Sequence, residues 1–303
     1  MKILITGGTG FIGRSLTPAL LADGHSITIL SRYPGKVESV FGKKTQQIGS
    51  MSDLTDQVHF DAIFNFAGAP IFGSRWSNAH KTVLLNSRIH TTQTIIDYIE
   101  RAKTKPSVLL SGSAIGIYGD RGDTILDETA PLPVPTEDDF GHQLCVTWEK
   151  TAEKAKTQNI RVCLLRTGLV LGKNGGFLQP MLQPFKLGLG CKLGSGNQWM
   201  PWIHRDDYVA ICKTLLENNT LAGVFNLTAP NPVTNSTFTE TLARLLKRKA
   251  LLTMPTWALN LLLGEMAQLL TGSQRVIPKA ILDSGFQFKY TELETALADV
   301  LHT

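Results

Sequence analysis

Short apolar runs alternate along the chain with longer stretches in which apolar residues recur every three to four positions. Lys2–Thr6, Ser26–Leu30, Ala62–Phe66, Val108–Ser111 and Ile160–Arg166 read as buried strands, and Gln46–Gly49 as a weaker one. Between them, Phe11–Ala22, Ala79–Ala102 and Asp139–Lys156 read as helices. Pro18 is a local fault in the first, and Pro106 closes off the second. In the third, Leu144, Trp148, Ala152 and Ala155 share one face. Strands spaced by helices predict an α/β fold: a doubly wound parallel sheet with right-handed crossovers. After Asn226 the pattern turns mostly helical, and Pro230-Asn231-Pro232 marks a break. The expected division is a nucleotide-binding domain over 1–235 and a small, mostly helical C-terminal unit over 236–303 on the substrate side.

Two segments lack either period. Asp120–Asp138 is interrupted by Gly122, Pro131, Pro133 and Pro135, and Gly172–Gln198 is rich in glycine. Each follows a sheet strand at the edge where open α/β sheets bind ligands, so each is expected to act as a lid, with 172–198 a flap on the substrate side.

Composition narrows the class. Of 303 residues, 43% are hydrophobic and 18% charged, which excludes a disordered chain. The net charge is only +5 and scattered; its densest run is Lys247-Arg248-Lys249, so no nucleic-acid partner is expected. No run is long and apolar enough for a membrane span. Met1-Lys2 leads directly into a strand and a glycine cluster, with no signal-peptide pattern. Four separated cysteines and seven scattered histidines show neither CxxC nor metal-ligand spacing. A cytoplasmic protein without a metal is expected, a monomer or homodimer acting on a small molecule.

The strongest chemical signal is Thr6-Gly7-Gly8-Thr9-Gly10-Phe11-Ile12-Gly13. It ends a strand, turns tightly and opens a helix. Glycines permit the turn and let a pyrophosphate approach backbone N–H groups at the helix N-terminus. Gly7 through Gly13 are therefore expected to bind a dinucleotide. The second strand ends in Leu30-Ser31-Arg32, where an acidic residue would hold the ribose of NAD. Ser31 and Arg32 instead suit a 2′-phosphate, which predicts NADP(H). Phe66, Ala67 and Gly68, after the fourth strand, would let the cofactor ribose lie close.

With these residues in hand, the sequence resembles the extended short-chain dehydrogenase/reductase superfamily, the NAD(P)-dependent epimerase/dehydratases. It is most similar to the atypical sugar-nucleotide epimerase-like subfamily, which ends in a small C-terminal domain of unknown function. The resemblance rests on Thr6–Gly13, Asn65-Phe66-Ala67-Gly68, Arg75-Trp76, Ser87-Arg88 and Ser111-Gly112-Ser113-Ala114. It continues through Tyr118-Gly119, Trp148-Glu149, Arg166-Thr167-Gly168, Gly194-Ser195-Gly196 and Trp202-Ile203-His204.

It implies a Rossmann fold and a Tyr-x-x-x-Lys pair that, with a serine, moves the proton while a hydride moves to or from the nicotinamide. That pair is missing. Four positions after Tyr33, Tyr98, Tyr118, Tyr208 and Tyr290 stand Val37, Ala102, Gly122, Cys212 and Glu294. Counted from Glu149, the expected Tyr and Lys slots hold Gly141 and Cys145, and a shift of one gives Phe140 and Leu144.

Ser113, where the superfamily's catalytic serine sits, is a candidate to polarise a substrate carbonyl. Tyr118 and His142 are candidates to supply the proton. Arg88 is a candidate for a cofactor phosphate or ribose. Arg75-Trp76 could clamp a substrate, and Trp199 and Trp202 could line its pocket. Two functions follow. One is an NADP(H)-binding oxidoreductase or epimerase-like enzyme acting on a small carbonyl or hydroxyl compound. The other is a non-catalytic NADP(H) sensor acting through a protein partner.

Overall fold

The alternating pattern folds into one seven-stranded parallel sheet in a computed structural model, which describes residues 1–136 and 139–302. We number its strands β1 (Lys2–Thr6), β2 (Ser26–Leu30), β3 (Gln46–Ile48), β4 (Ala62–Asn65), β5 (Val108–Ala114), β6 (Arg161–Thr167) and β7 (Gly223–Leu227). Their spatial order is β7-β6-β5-β4-β1-β2-β3. The chain thus runs outward from β1 to β3, then reverses from β4 to β7. The reversal opens a crevice at the carboxyl ends of β1 and β4.

Both faces of the sheet are covered, which is why its strands are nearly continuously apolar. Ile3 and Ile5 pack with Leu16, Leu20 and Ile29 on one face. Leu4, between them, packs with Ile63, Ile95, Ile99 and Leu164 on the other. Strand β7 is absent from the sequence reading. Gly223 and Asn226 are poor strand formers, and only pairing to β6 along the sheet edge makes the segment a strand.

Helix α1 (Gly13–Ala22) starts two residues later than expected, because Gly10 N–H first closes a turn onto Gly7 O at 2.9 Å. Helix α2 (Asn78–Arg101) is capped by the Ser77 hydroxyl, which accepts from His80 N–H. Helix α3 (Phe140–Glu153) buries Leu144, Trp148 and Ala152. Helix α4 is Arg205–Glu217. No helix among the described residues is long and apolar enough to cross a membrane.

The two segments read as irregular are partly ordered by pairing with the C-terminal region. Within 172–198, Gln179–Lys186 is a helix, and Cys191–Leu193 pairs with Leu252–Met254. Pro180 and Pro184 hide that helix in the sequence. Phe177, Leu178 and Phe185 join Trp202, Phe238, Leu242 and Leu297 in one buried cluster. That cluster draws on both sides of the expected boundary at 235/236. In the other segment, Ile125–Leu126 pairs with Arg275–Val276. Its last two residues, Glu137 and Asp138, lie outside the described residues, as does Thr303 at the end of the C-terminal unit.

Candidate functional site

The glycine turn leaves no space where its backbone must pass. Gly7 has φ +70°, and a Cβ there would fall 2.4 Å from Phe66 O. A Cβ on Gly13 would fall 2.5 Å from both Gly7 O and Gly8 O. Any side chain at either position forces the turn open. Helix α1 has no side-chain cap and no acidic residue in its first turn. Its N-terminus is thus left to an anion, and the cradle of Gly7, Gly8, Thr9, Gly10, Phe11, Ile12 and Gly13 fits a pyrophosphate.

Phe11 contributes backbone only. Its ring turns away, against Gly172, Gly175 and Gly176 and 5.3 Å from the Arg205 guanidinium. The adjoining crevice is cross-braced. Thr6 Oγ1 donates to Asn65 Oδ1 at 2.8 Å and accepts from Ala67 N–H at 3.1 Å. Asn65 Nδ2 donates to Thr92 and Ser111. At the end of β2, Ser31 Oγ bonds to the Tyr33 backbone. Arg32 is exposed, and no carboxylate among the described residues pairs with it.

A cavity of about 640 Å³ adjoins this cradle, with Ile12 and Phe66 in its wall. It lies over the carboxyl ends of β5 and β6, between α2, α3 and the segment 268–274. Ser113 lines it. Strand register puts Ser113 beside Arg166, and Glu149 on α3 reaches both. Ser113 Oγ donates to Glu149 Oε1 at 2.6 Å. Arg166 Nε and Nη2 hold the two Glu149 oxygens at 2.9 Å each, a bidentate pair. Burial alone disfavours the Arg166 cation, yet Glu149 outweighs it and holds Arg166 above its ordinary pKa. The Ser113 proton is committed to this carboxylate. Its oxygen therefore meets a ligand as an acceptor, not as the donor expected for polarising a carbonyl.

The two other catalytic candidates turn away from the cavity. Tyr118 is fully buried, with its hydroxyl between Asn226 Oδ1 at 2.8 Å and Asp127 O at 3.1 Å, and it accepts from Arg166 Nη1 at 3.0 Å. Burial pushes its pKa up. His142 is buried as well, and its Nδ1 faces Ile117 O at 2.6 Å. A carbonyl only accepts, so Nδ1 carries the proton there. Neither ring lines the cavity: Tyr118 ends a 3-10 turn at Ile115–Tyr118 and His142 lies in the first turn of α3, and both side chains are buried in the protein.

Gly141 and Cys145, in the vacant Tyr and Lys slots, both line the cavity. Burial pushes the Cys145 thiol up to about 12, so it remains protonated. Trp76 also lines it, its Nε1 donating to Ile71 O. Trp199 and Trp202 do not. The first stacks on Arg275 and donates to Asp123, and the second donates to Asn231 O. No residue of 172–198 lines the cavity; Gln268, Leu269, Thr271 and Gln274 do.

Arg88, on α2, lines it too. Its guanidinium sits where a Cβ on Gly68 would be, 3.0 Å from Arg88 Cζ. Gly68 therefore makes room for this arginine. Glu149, Arg166 and Trp148 were given no role in the sequence reading. A signal was present: Arg166 is a charge set directly after the apolar run Val162–Leu165, and such a charge implies a partner.

The chain is similar to known proteins over nearly its whole length. A family model described as "NAD dependent epimerase/dehydratase family" matches residues 3–228, and a domain of unknown function, DUF1731, matches 254–300.

This chain belongs to the NAD dependent epimerase/dehydratase family.

Among similar family members is the chloroplastic homologue of epimerase family protein SDR39U1 from Arabidopsis thaliana. It is 39% identical over 99% of this chain and 87% of its own length. Epimerase family protein YfhF of Bacillus subtilis is 37% identical over 99% of this chain and 98% of its own. The crystal structure of human epimerase family protein SDR39U1 with NADPH superposes with a TM-score of 0.88. Its identity is 33%, covering 100% of this chain and 99% of that one.

Proposed function

We propose that this family member binds NADP(H) and is an oxidoreductase or isomerase acting on a small hydroxyl- or carbonyl-bearing compound. The observation that carries the reading is continuity: the glycine cradle and the Ser113 cavity share Ile12 and Phe66 as wall. The human relative solved with NADPH supports the choice of cofactor. Backbone N–H groups of Gly7–Gly13 would hold the pyrophosphate, and Ser31 and Arg32 the 2′-phosphate. Ala67 and Gly68 give a flat approach for the ribose. When bound, the nicotinamide supplies or takes the hydride. Ser113 Oγ accepts the substrate hydroxyl, and the Ser113–Glu149 bond is the route open to its proton in place of the missing tyrosine. Free cysteines, three of them buried, are in keeping with a reducing compartment such as the cytoplasm.

A second reading, an NADP(H) sensor acting through a partner, draws on Gly141 and Cys145 standing where proton-transfer groups would be. NADPH and NADH titrations of wild type and Arg32→Ala, followed by an NADPH-consumption screen over carbonyl compounds with Ser113→Ala, separate the two. Turnover lost in Ser113→Ala supports the enzyme. Tight NADPH binding without turnover across the panel supports the sensor. No binding of either nucleotide overturns both.

A further inference from the structure

The charges in the wall of the Ser113 cavity are few and unbalanced. Arg88 is its one cation among the described residues. The Arg88 guanidinium takes the space a side chain at Gly68 would fill, 3.0 Å from Cζ, and donates to Leu84 O and Ala69 O. It therefore lies with the Ala67-Gly68 backbone on the cofactor's side. The other two charged side chains are carboxylates, Asp120 and Asp139. Asp120 Oδ1 accepts from Gly122 N–H at 3.1 Å and from Ser273 N–H at 3.2 Å. Asp139 Oδ1 accepts from His142 N–H at 2.9 Å, so a carboxylate of the chain itself caps the N-terminus of α3. That helix end is closed to an outside anion. No ion pair among the described residues involves Arg88, Asp120 or Asp139.

Much of the remaining wall is apolar: Ile71, Phe72, Trp76, Leu144 and Leu269. Polar donors near them are used inside the chain. Trp76 Nε1 donates to Ile71 O, and Gln274 Nε2 donates to Ile115 O and Gly119 O. The place of the missing proton-transfer pair is apolar too. A Cβ on Gly141 would meet Leu269 Cδ2 at 3.8 Å, and one on Gly116 would meet Cys145 Sγ at 3.8 Å. Ser113 Oγ remains as an acceptor at the end of β5, since its proton goes to Glu149.

We infer that the cavity takes an uncharged alcohol with an apolar, ring-sized body, its hydroxyl donating to Ser113 and its body against the Trp76–Leu269 wall, and that it excludes sugar nucleotides. This names the substrate class for the oxidoreductase reading and, as a substrate, rests on it. A sugar nucleotide carries a diphosphate. Its charge would enter beside two carboxylates, with no cation free of the cofactor to meet it. An uncharged ring loses nothing to those carboxylates and gains by leaving water for the apolar wall. A cavity of about 640 Å³, shared with a nicotinamide, has room for a ligand of that size.

The test is calorimetric titration with methyl 4-(1-hydroxyethyl)benzoate, the matching 4-(1-hydroxyethyl)benzoate anion, methyl 4-ethylbenzoate and UDP-glucose, with and without NADPH, and with NADPH alone. An alcohol beside NADPH has no hydride to exchange, so binding is read by itself. Wild type is expected to bind the hydroxy ester at least about tenfold more tightly than the anion, because the anion brings an unpaired charge to an apolar wall. Methyl 4-ethylbenzoate should bind about 3- to 10-fold more weakly than the hydroxy ester for want of the hydroxyl. UDP-glucose should give no binding heat and should not displace the ester. Asparagine accepts as aspartate does at both positions, so Asp120→Asn/Asp139→Asn keeps the caps. It should narrow the ester-over-anion preference about threefold, by tightening the anion. Equal binding of ester and anion overturns the inference, as does no binding of the ester or a UDP-glucose that displaces it. An unchanged preference in the double variant overturns the part given to the two aspartates. If NADPH fails to bind wild type while the ester is still preferred, the cofactor reading falls and the ligand class stands. If both bind and the alcohol never reduces NADP⁺, the oxidoreductase reading falls instead.

Discussion

Arg166 lies behind the cavity wall and Arg88 lies in it, and their partners differ in kind. Arg166 is closed off: three of its nitrogens reach Glu149 and Tyr118, and its charge is neutralised on the spot. Arg88 gives its bonds to backbone carbonyls and keeps donors free. The pKa directions agree, raised for Arg166 by Glu149 and lowered for Arg88 by burial. A buried ion pair of the first kind specifies structure: it locks α3 onto β6 and turns the Ser113 hydroxyl. An unpaired cation of the second kind is left for something outside the chain.

The comparison breaks most directly through stability. Arg166→Met strands the Glu149 carboxylate and is expected to cost about 3–5 kcal/mol in urea unfolding. Arg88→Met removes a cation that has no partner charge and should cost no more than roughly 1 kcal/mol. Equal costs would mean Arg88 is as structural as Arg166. Ser113→Ala comes next. It leaves Glu149 one hydrogen bond short, which predicts a loss of about 1–2 kcal/mol with NADPH affinity unchanged.

Acid sensitivity should come from neither arginine, since both stay charged, but from His204. It is buried, and desolvation lowers its pKa from the ordinary 6.5, with nearby Asp206 and Asp299 opposing. The unfolded chain therefore binds more protons, and stability falls as pH drops from about 6.5 through the lower folded value. Urea midpoints that stay flat between pH 7.5 and 5 would contradict this. The smallest stability change is expected at exposed Arg32. Arg32→Ala should shift stability by less than about 0.5 kcal/mol while removing the preference for NADPH over NADH.

These contrasts also mark what a sequence reader can see. The six strands that were read all lie in the sheet, because an apolar run covered on both faces carries its own signature. Strand β7 carries none, since its pairing to β6 comes from elsewhere in the chain. The cradle was legible because Gly7, Gly10 and Gly13 act on one another within a single turn. Tyr118 and His142 are of the right type to move a proton, and the fold turns both inward, Tyr118 onto Asn226 and His142 onto Ile117.

The sequence by itself determined the alternating architecture, the glycine turn, the missing Tyr-x-x-x-Lys pair and the basic residue at the end of β2. Each of these is a property of neighbours in the chain. Only tertiary structure decided which arginine is neutralised and which is open, and whether Ser113 donates or accepts. Those outcomes depend on Ser113 meeting Glu149 across 36 residues and Tyr118 meeting Asn226 across 108. A polar side chain's chemistry is set by the group that takes its proton or charge, and the fold chooses that group.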